Sequence, residues 1–261
     1  IPDLGNPQRV WELFRYPNWS SPLVWDVLII VVSFVFAVAD LTIMTRRTMQ
    51  PAKRAKVLRI MAYAGLPTAV LLHSITAWIF GLQISRAWWN TALMAPLFVT
   101  SAILSGTALI ALAALVARRY DKIKLPDETW RTLAGLMAVT IAVDLFLVAC
   151  DYITIIWGNV PRERAALNVI LTGKRWQALF WLEWIVGGLI PFVLLVVPRF
   201  RKRFDLLGIA AVLVMVGVYA FRIELVVGGM LRPLVHLAPG NALGTYKLGQ
   251  SVFQYNGVYH P

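Results

Sequence analysis

The sequence predicts an all-α membrane protein, a polytopic bundle of six transmembrane helices, from its composition and from the length of its apolar runs. The 261 residues are 59% hydrophobic and only 15% charged, whereas a soluble domain carries about a quarter charged residues. Several apolar runs exceed the roughly 18 residues that a helix needs to cross about 30 Å of hydrocarbon. The runs are continuous and do not alternate, which favours helices over a β-barrel.

A short amphipathic segment precedes the first span. In residues 1–22, Trp11, Phe14, Tyr16 and Trp19 are interleaved with arginine and glutamate, a pattern typical of a membrane interface. We therefore predict an interfacial lead-in over these residues. It ends in a proline at position 22, a residue that suits the first turn of a helix.

Six apolar runs follow, and each predicts one span of a bundle over residues 23–231. The predicted spans are 23–45, 57–83, 89–117, 129–157, 177–198 and 204–231. Residues 232–261 are rich in Gly, Pro and Tyr and lack apolar periodicity, which predicts an outer loop leading to a further span. We therefore expect the 261 residues to be part of a longer polypeptide.

Basic residues are concentrated in alternate loops. The loops at 46–59, 118–131 and 199–203 hold 15 of the 25 Lys and Arg residues. Because positively charged loops tend to stay in the cytoplasm, we expect these loops inside and both ends of the chain outside. The same loops explain most of the net charge of +12 without a nucleic-acid partner.

Ionisable side chains persist inside the apolar runs, where each costs about 2.5–3.5 kcal/mol on insertion scales. They are Asp40, His73, Asp144, Asp151, Glu183, Arg222 and Glu224, with Asp26 nearer the outer interface. Counting along the predicted spans puts five at a similar height toward the outside, namely His73, Asp151, Glu183, Arg222 and Glu224. This arrangement predicts a polar pocket in the outer half of the bundle.

Asp144 lies two helical turns before Asp151 on the same helix face, about 10 Å deeper in the membrane. This position suits a proton relay between the pocket and the cytoplasm. The alternative is structural: ion pairs such as Arg222 with Glu183 or Asp151 would neutralise one another. Likewise, His73 would be a core histidine bonded to a backbone carbonyl.

The sequence does not predict a resident redox centre. A bis-histidine haem needs two intramembrane histidines, whereas only His73 lies in an apolar run. The single cysteine, Cys150, cannot build a cysteine-ligated cluster, and no Cys/His cluster predicts a metal site. We therefore expect no haem, iron–sulfur cluster or metal in this chain, and any redox partner within the membrane would be organic, such as a quinone.

Several stretches carry a resemblance to a known family. They are NPQRVWELFRYPNWSSPLVWDV before the first span, LLHSITAWIFGLQISRAWWNTALMAPLFVTSAILSGTAL across the second and third, and FWLEWIVGGLIPFVLLV and FRIELVVGGMLRP in the last two. In order and spacing they resemble the NrfD/polysulfide reductase-type membrane subunits. The resemblance covers most of the chain.

The resemblance implies a membrane anchor subunit of a respiratory oxidoreductase complex. Such subunits exchange electrons between a quinone pool (menaquinone or ubiquinone) and an iron–sulfur ferredoxin-like subunit, alongside a catalytic or cytochrome subunit. They lie in the prokaryotic cytoplasmic (inner) membrane, bind no haem, and often have eight to ten spans. The chain would then be the quinone-reactive subunit, with six of those spans.

The resemblance also assigns site residues. His73 matches the family histidine near the quinone, and Arg222 matches a basic position. In some relatives an acid follows the Trp of the same motif, but here Ile79 follows Trp78. The carboxylate would therefore come from another acid, and the candidates are Asp151, Glu183 and Glu224.

Together these observations predict quinol oxidation or quinone reduction in the outer half of the bundle, with proton translocation as an accompanying step. His73 would exchange a proton with a quinone oxygen, Asp151 would accept the next proton, and Asp144 would relay it. Trp78 and Tyr152 would contact the ring. Two alternatives stay open, a proton-coupled transporter or channel without electron transfer and a purely structural anchor.

Overall fold

The fold is an assembly of long apolar helices. A computed structural model describes residues 11–46, 49–120, 126–197 and 204–230, and within these ranges it contains helices and turns but no strand. The helices are α1 Glu12–Arg15, α2 Pro22–Thr45, α3 Pro51–Gly81, α4 Met94–Arg119, α5 Asp127–Gly158, α6 Pro161–Thr172, α7 Lys174–Trp181, a π-helical segment Leu182–Leu189, α8 Ile190–Val196 and α9 Phe204–Gly228.

Six of these stretches are long and apolar enough to cross a membrane, which confirms the predicted six-span all-α fold. Five of the spans are single helices, namely α2, α3, α4, α5 and α9. The remaining one, the fifth span Trp176–Val196, combines most of α7 with the π-helical segment and α8. The predicted outer loop at 232–261 lies outside the described residues.

The second span begins earlier than predicted, and the third begins later. Helix α3 starts at Pro51, where the fixed φ of proline suits the first helical turn. Helix α4 starts only at Met94, because residues 83–93 form a series of turns. In one of these turns the Trp89 N–H donates to the Arg86 carbonyl at 3.0 Å.

Helix α6 lies between the fourth and fifth spans and was not predicted from the sequence. Asn159 adopts a left-handed conformation (φ 49°) that ends α5, and Pro161 then begins α6. Helix α6 buries Leu167 and Ile170 on one side. A 12-residue helix with charged residues in its first turns gives no membrane-span signal.

The chain divides into two compact units, one ending at Leu82 and the other beginning at Gln83. We describe each by itself. In the first unit α2 packs along α3, with Val24, Asp26 and Ala77 buried. The second unit contains α4 to α9 and the π-helical segment.

The second unit has one contiguous apolar core built by α4, α5, α8 and α9. Its members are mostly small or aliphatic, and they include Ala108, Ala111, Ala134, Met137, Ala138, Ile141, Ala210, Ala211 and Val214. Small side chains allow helix backbones to approach closely, which is how membrane helices gain packing contacts. The core therefore holds these four helices in a fixed arrangement.

The π-helical segment lies where the fifth span packs most closely on α9. Gly187 faces Gly217 of α9 so closely that a Cβ atom on either glycine would overlap the Cα of the other. Pro191 lies two residues beyond the segment and lacks the N–H that an α-helix needs at that position. π-Helical turns are rare in proteins, and they are frequent at functional sites.

Candidate functional site

The turns at residues 83–93 are hydrogen-bonded to the C-terminal end of α9. The Trp89 indole N–H donates to the Leu225 carbonyl at 2.7 Å. Gly228 and Gly229 leave room for the indoles of Trp88 and Trp89, because a Cβ atom at either position would contact them. Trp88 and Trp89 therefore fix the position of the turns.

This placement brings Thr91 to the C-terminal half of α5. The Thr91 hydroxyl donates to Asp151 Oδ1 at 2.6 Å, and its oxygen accepts the Leu93 N–H at 3.2 Å. Asp151 therefore has a fixed orientation, although it carries a carboxylate within an apolar span. Thr91 was not predicted from the sequence as a partner of Asp151, because the two residues are 60 positions apart.

Tyr152 joins α5 to α9 through the acid predicted there. Its hydroxyl donates to Glu224 Oε1 at 2.9 Å, and Glu224 is only 2% exposed. The tyrosine ring contacts three other aromatic rings at centroid distances of 5.7–6.0 Å, those of Trp88, Phe180 and Trp184. This aromatic cluster surrounds the Tyr152–Glu224 pair with apolar surface.

A small cavity lies between these groups. It is lined by Asp151, Tyr152 and Glu224 among apolar neighbours, and its volume is about 20 Å³. A water molecule needs roughly 10–15 Å³ by this measure and two or more polar partners. Since the three named side chains supply such partners, the cavity suits one water molecule.

A second cavity of about 20 Å³ lies deeper, lined by Ser101, Asp144 and Glu183. Glu183 is 9% exposed, and its Oε2 has no hydrogen-bond partner among the described residues. The same is true of Glu224 Oε2. An unsatisfied carboxyl oxygen away from water is costly, so each of these oxygens is a natural partner for a water molecule.

Arg222 lies on another side of α9 from Glu224. Its guanidinium donates to the Ser101 hydroxyl at a long 3.5 Å and lies over the Phe98 ring, 4.2 Å from the centroid. The pairing of Arg222 with Glu183 or Asp151, considered from sequence, is not among these contacts.

His73 and Trp78 belong to the first unit, on α3. The His73 ring is partly buried, and its Nδ1 lies 2.9 Å from the Ala69 carbonyl oxygen. A carbonyl only accepts, so Nδ1 carries the proton and, in the neutral ring, Nε2 is an acceptor. Trp78 is about half exposed. The backbone bond is the one considered in the structural alternative, and it leaves Nε2 to bind another group.

Asp26 is a buried acid to which the sequence analysis gave no role. It is 9% exposed, and its Oδ1 accepts a hydrogen bond from the Thr76 hydroxyl at 2.6 Å. Thr76 lies three residues after His73, on the same side of α3. The three-residue spacing of His73 and Thr76 was visible in the sequence. The contact of Thr76 with Asp26 was not, because the sequence does not show that α2 packs on α3.

The structure therefore groups the second-unit residues of the predicted pocket but not as a single cavity. Asp151, Tyr152 and Glu224 meet at the first cavity, and Asp144 and Glu183 at the second. Their contact with a quinone, and that of Trp78 and Arg222, stays a prediction. Among the described residues, no three His, Cys, Asp or Glu side chains come together as a metal site would require.

Six apolar spans define the class, a multi-pass integral membrane protein. Residues 1–233 match the family described as polysulphide reductase, NrfD, and the chain belongs to that family. The resemblance seen in the sequence is thereby confirmed.

Three relatives are similar along most of the chain. A Halobacterium salinarum protein, provisionally named as a membrane subunit of dimethyl sulfoxide reductase, is 30% identical over 94% of the chain and 60% of its own length. A selenate reductase subunit of Mesobacillus selenatarsenatis is 27% identical over 88% and 61%. The Hdr-like menaquinol oxidoreductase integral membrane subunit of Archaeoglobus fulgidus is 27% identical over 92% and 59%. The chain thus spans about 60% of the length of these relatives.

Proposed function

We propose that this chain exchanges electrons between the quinone pool and an iron–sulfur subunit of a respiratory oxidoreductase complex. The complex would lie in the cytoplasmic membrane of a prokaryote and include a catalytic or cytochrome subunit. Family membership and the relatives' names support this proposal, since they name subunits of two reductases and of one menaquinol oxidoreductase. Menaquinone and ubiquinone both fit it.

The observation that carries the proposal is the group of buried carboxyls beside water-sized cavities. Quinol oxidation releases two protons with two electrons, so a quinone-reactive subunit needs proton acceptors within the membrane. Glu183 and Glu224 are buried, and each has one carboxyl oxygen without a partner in the described chain. A purely structural anchor has no use for such costly groups.

His73 is proposed to contact the quinone directly. Because Nδ1 is engaged by the Ala69 carbonyl, Nε2 can accept a hydrogen bond from a quinol hydroxyl and then take its proton. An imidazole suits this task because one ring nitrogen can donate a hydrogen bond while the other accepts a proton. Trp78, half exposed further along the same helix, is proposed to contact the ring.

The acids of the second unit are proposed to carry protons. Small-molecule sites usually enclose roughly 300–1,000 Å³, far more than the cavity of about 20 Å³ between Tyr152 and Glu224. We therefore assign Asp151 and Glu224 to proton acceptance through a water molecule. Glu183 and Asp144, at the deeper cavity, would continue the relay.

Replacing His73 tests the proposal most simply. We expect His73→Ala to lower quinol oxidation by the purified complex about 100-fold or more, as for loss of a general base, with assembly unchanged. Tyr63→Phe, at an exposed position on the same helix, serves as the control. Turnover with a quinol substrate and an artificial electron acceptor gives the rate, and co-purification of the other subunits gives the assembly. An undiminished rate in His73→Ala would refute the role.

A proton-coupled transporter or channel is the second candidate, because the same buried acids and cavities suit proton movement without electron transfer. Binding of a quinone analogue to the purified chain separates the two functions. Co-purification with an iron–sulfur subunit separates them again, since a transporter needs no such partner.

A further inference from the structure

An open groove runs between α4 and α9. It is separate from the acid cluster, by which we mean Asp144, Asp151, Glu183 and Glu224. Its volume is about 480 Å³, and its lining is aliphatic except for one acid: Leu112, Leu115, Val116, Asp205, Gly208, Ile209, Val212 and Leu213. The α9 members recur at intervals of three and four residues, so they form one stripe along that helix. Gly208 deepens the groove, because a Cβ atom there would press against Leu115 at 3.1 Å.

The groove has a basic end. Arg119 follows Leu115 by four residues and Val116 by three, so it extends the α4 side of the groove by one helical turn. It is exposed. Arg119 also belongs to a region that the distribution of Lys and Arg places on the cytoplasmic side. On its α4 side the apolar lining is therefore followed by a positive charge.

We propose that this groove binds an anionic glycerophospholipid. One acyl chain would lie along the aliphatic lining between α4 and α9, and the phosphate would meet Arg119. Basic groups at the cytoplasmic ends of adjacent membrane helices suit acidic lipid headgroups, and a guanidinium pairs well with phosphate oxygens. The proposal is independent of the quinone reaction, since no group of the acid cluster lines the groove.

Asp205 predicts how the charge of the lipid headgroup changes the strength of binding. It is the single acid in the lining and lies in the first turn of α9. Its carboxylate repels an anionic headgroup, whereas it attracts the ammonium of a zwitterionic one. Removing its charge therefore strengthens binding of an anionic lipid and weakens binding of a zwitterionic lipid.

Native mass spectrometry of the purified full complex tests the site. Phosphatidylglycerol and phosphatidylcholine with identical acyl chains are titrated into delipidated protein, and bound lipid is counted. We expect Arg119→Gln to weaken phosphatidylglycerol binding about fivefold, the usual worth of one basic residue at a membrane surface. Asp205→Asn should strengthen it. Ile209→Trp, which fills the groove, should abolish the tightest site for both lipids.

Two control variants keep these outcomes interpretable. Arg131→Gln removes an exposed basic residue outside the lining, and Leu109→Trp adds bulk at an exposed position of α4 outside it. Both should bind lipid normally. Equal binding of phosphatidylglycerol by all five variants, tighter binding of phosphatidylcholine than of phosphatidylglycerol by the unaltered complex, or release of a protein subunit in place of lipid by Ile209→Trp would each overturn the proposal.

Discussion

The second unit uses the same helices in two different ways. In one half, α4, α5 and α9 meet through alanines and aliphatic side chains, and positions such as Ala108, Ala111 and Ala210 are fully buried. In the other half, α5 places the partly buried Asp151 and α9 buries Glu224, and aromatic rings lie beside both acids. The comparison separates two groups of residues. The first group packs the helices together, and the packed helices hold the second group in position.

The two halves differ in how their polar groups are satisfied. Threonines among the alanines bond to their own helix, as Thr107 and Thr140 do to backbone carbonyls one turn earlier. The acids instead bond between elements, through Thr91 and Tyr152. A hydrogen bond to the residue's own helix places no demand on a neighbour, whereas the second kind fixes one element against another. The polar half therefore depends on the packed half for its geometry.

The largest expected effect comes from breaking the packing. Gly217→Ala would drive a Cβ atom into the backbone of Gly187, so we expect a loss of about 3 kcal/mol or more in the free energy of unfolding. Thermal unfolding in detergent measures it. The control is Gly106→Ala, where a Cβ atom meets nothing within 4 Å and helix propensity should add about 0.5–1 kcal/mol. Equal behaviour of the two variants would contradict the close contact.

The next effect comes from the acid that the aromatic cluster encloses. Glu224→Gln still accepts the Tyr152 hydroxyl but cannot take up a proton, so quinol turnover should fall about 100-fold while the fold is kept. Steady-state turnover and thermal unfolding together check this. Tyr152→Phe, which removes the donor and leaves the carboxyl, should fall less. A Glu224→Gln protein with wild-type turnover would exclude the acid from proton transfer.

Asp144 should show a smaller effect. If it relays protons from the deeper cavity, Asp144→Asn should lower turnover about tenfold, or lower the number of protons moved per electron. Turnover in detergent and proton movement in sealed vesicles measure the two quantities. Ser101→Ala, on the same cavity but unable to titrate in either form, is the matched control. Normal values for both quantities in Asp144→Asn would remove the residue from the path.

The smallest effect is expected at Thr91. Thr91→Val removes the hydroxyl that orients Asp151 and costs about 1 kcal/mol, the usual net worth of one hydrogen bond. That energy corresponds to about a fivefold fall in turnover if it acts on the positioned acid. Asp151→Asn, which keeps the bond but loses the charge, should fall further. A Thr91→Val protein more impaired than Asp151→Asn would show that the bond matters for more than the acid.

Much of the fold was readable from the sequence, because membrane spans are set by local composition. Six apolar runs predicted the six spans, and their helical period placed Asp144 and Asp151 on one face. The site was readable only in part, because its contacts join distant positions. Glu224 and Tyr152 are 72 residues apart, and Asp26 and Thr76 are 50 apart. The π-helical segment was also missed. It lies at a close contact between two glycines on different helices, and that contact cannot be read from the sequence.

Infrared difference spectroscopy tests the central claim most directly, that buried carboxyls of the second unit exchange protons with the quinone reaction. The spectrum of the complex is recorded before and after its quinol is oxidised, in light and heavy water. We predict changes in the carboxyl stretching bands that shift in heavy water and are lost in Glu224→Gln. Complete oxidation of the quinol with no change in any carboxyl band would contradict the claim.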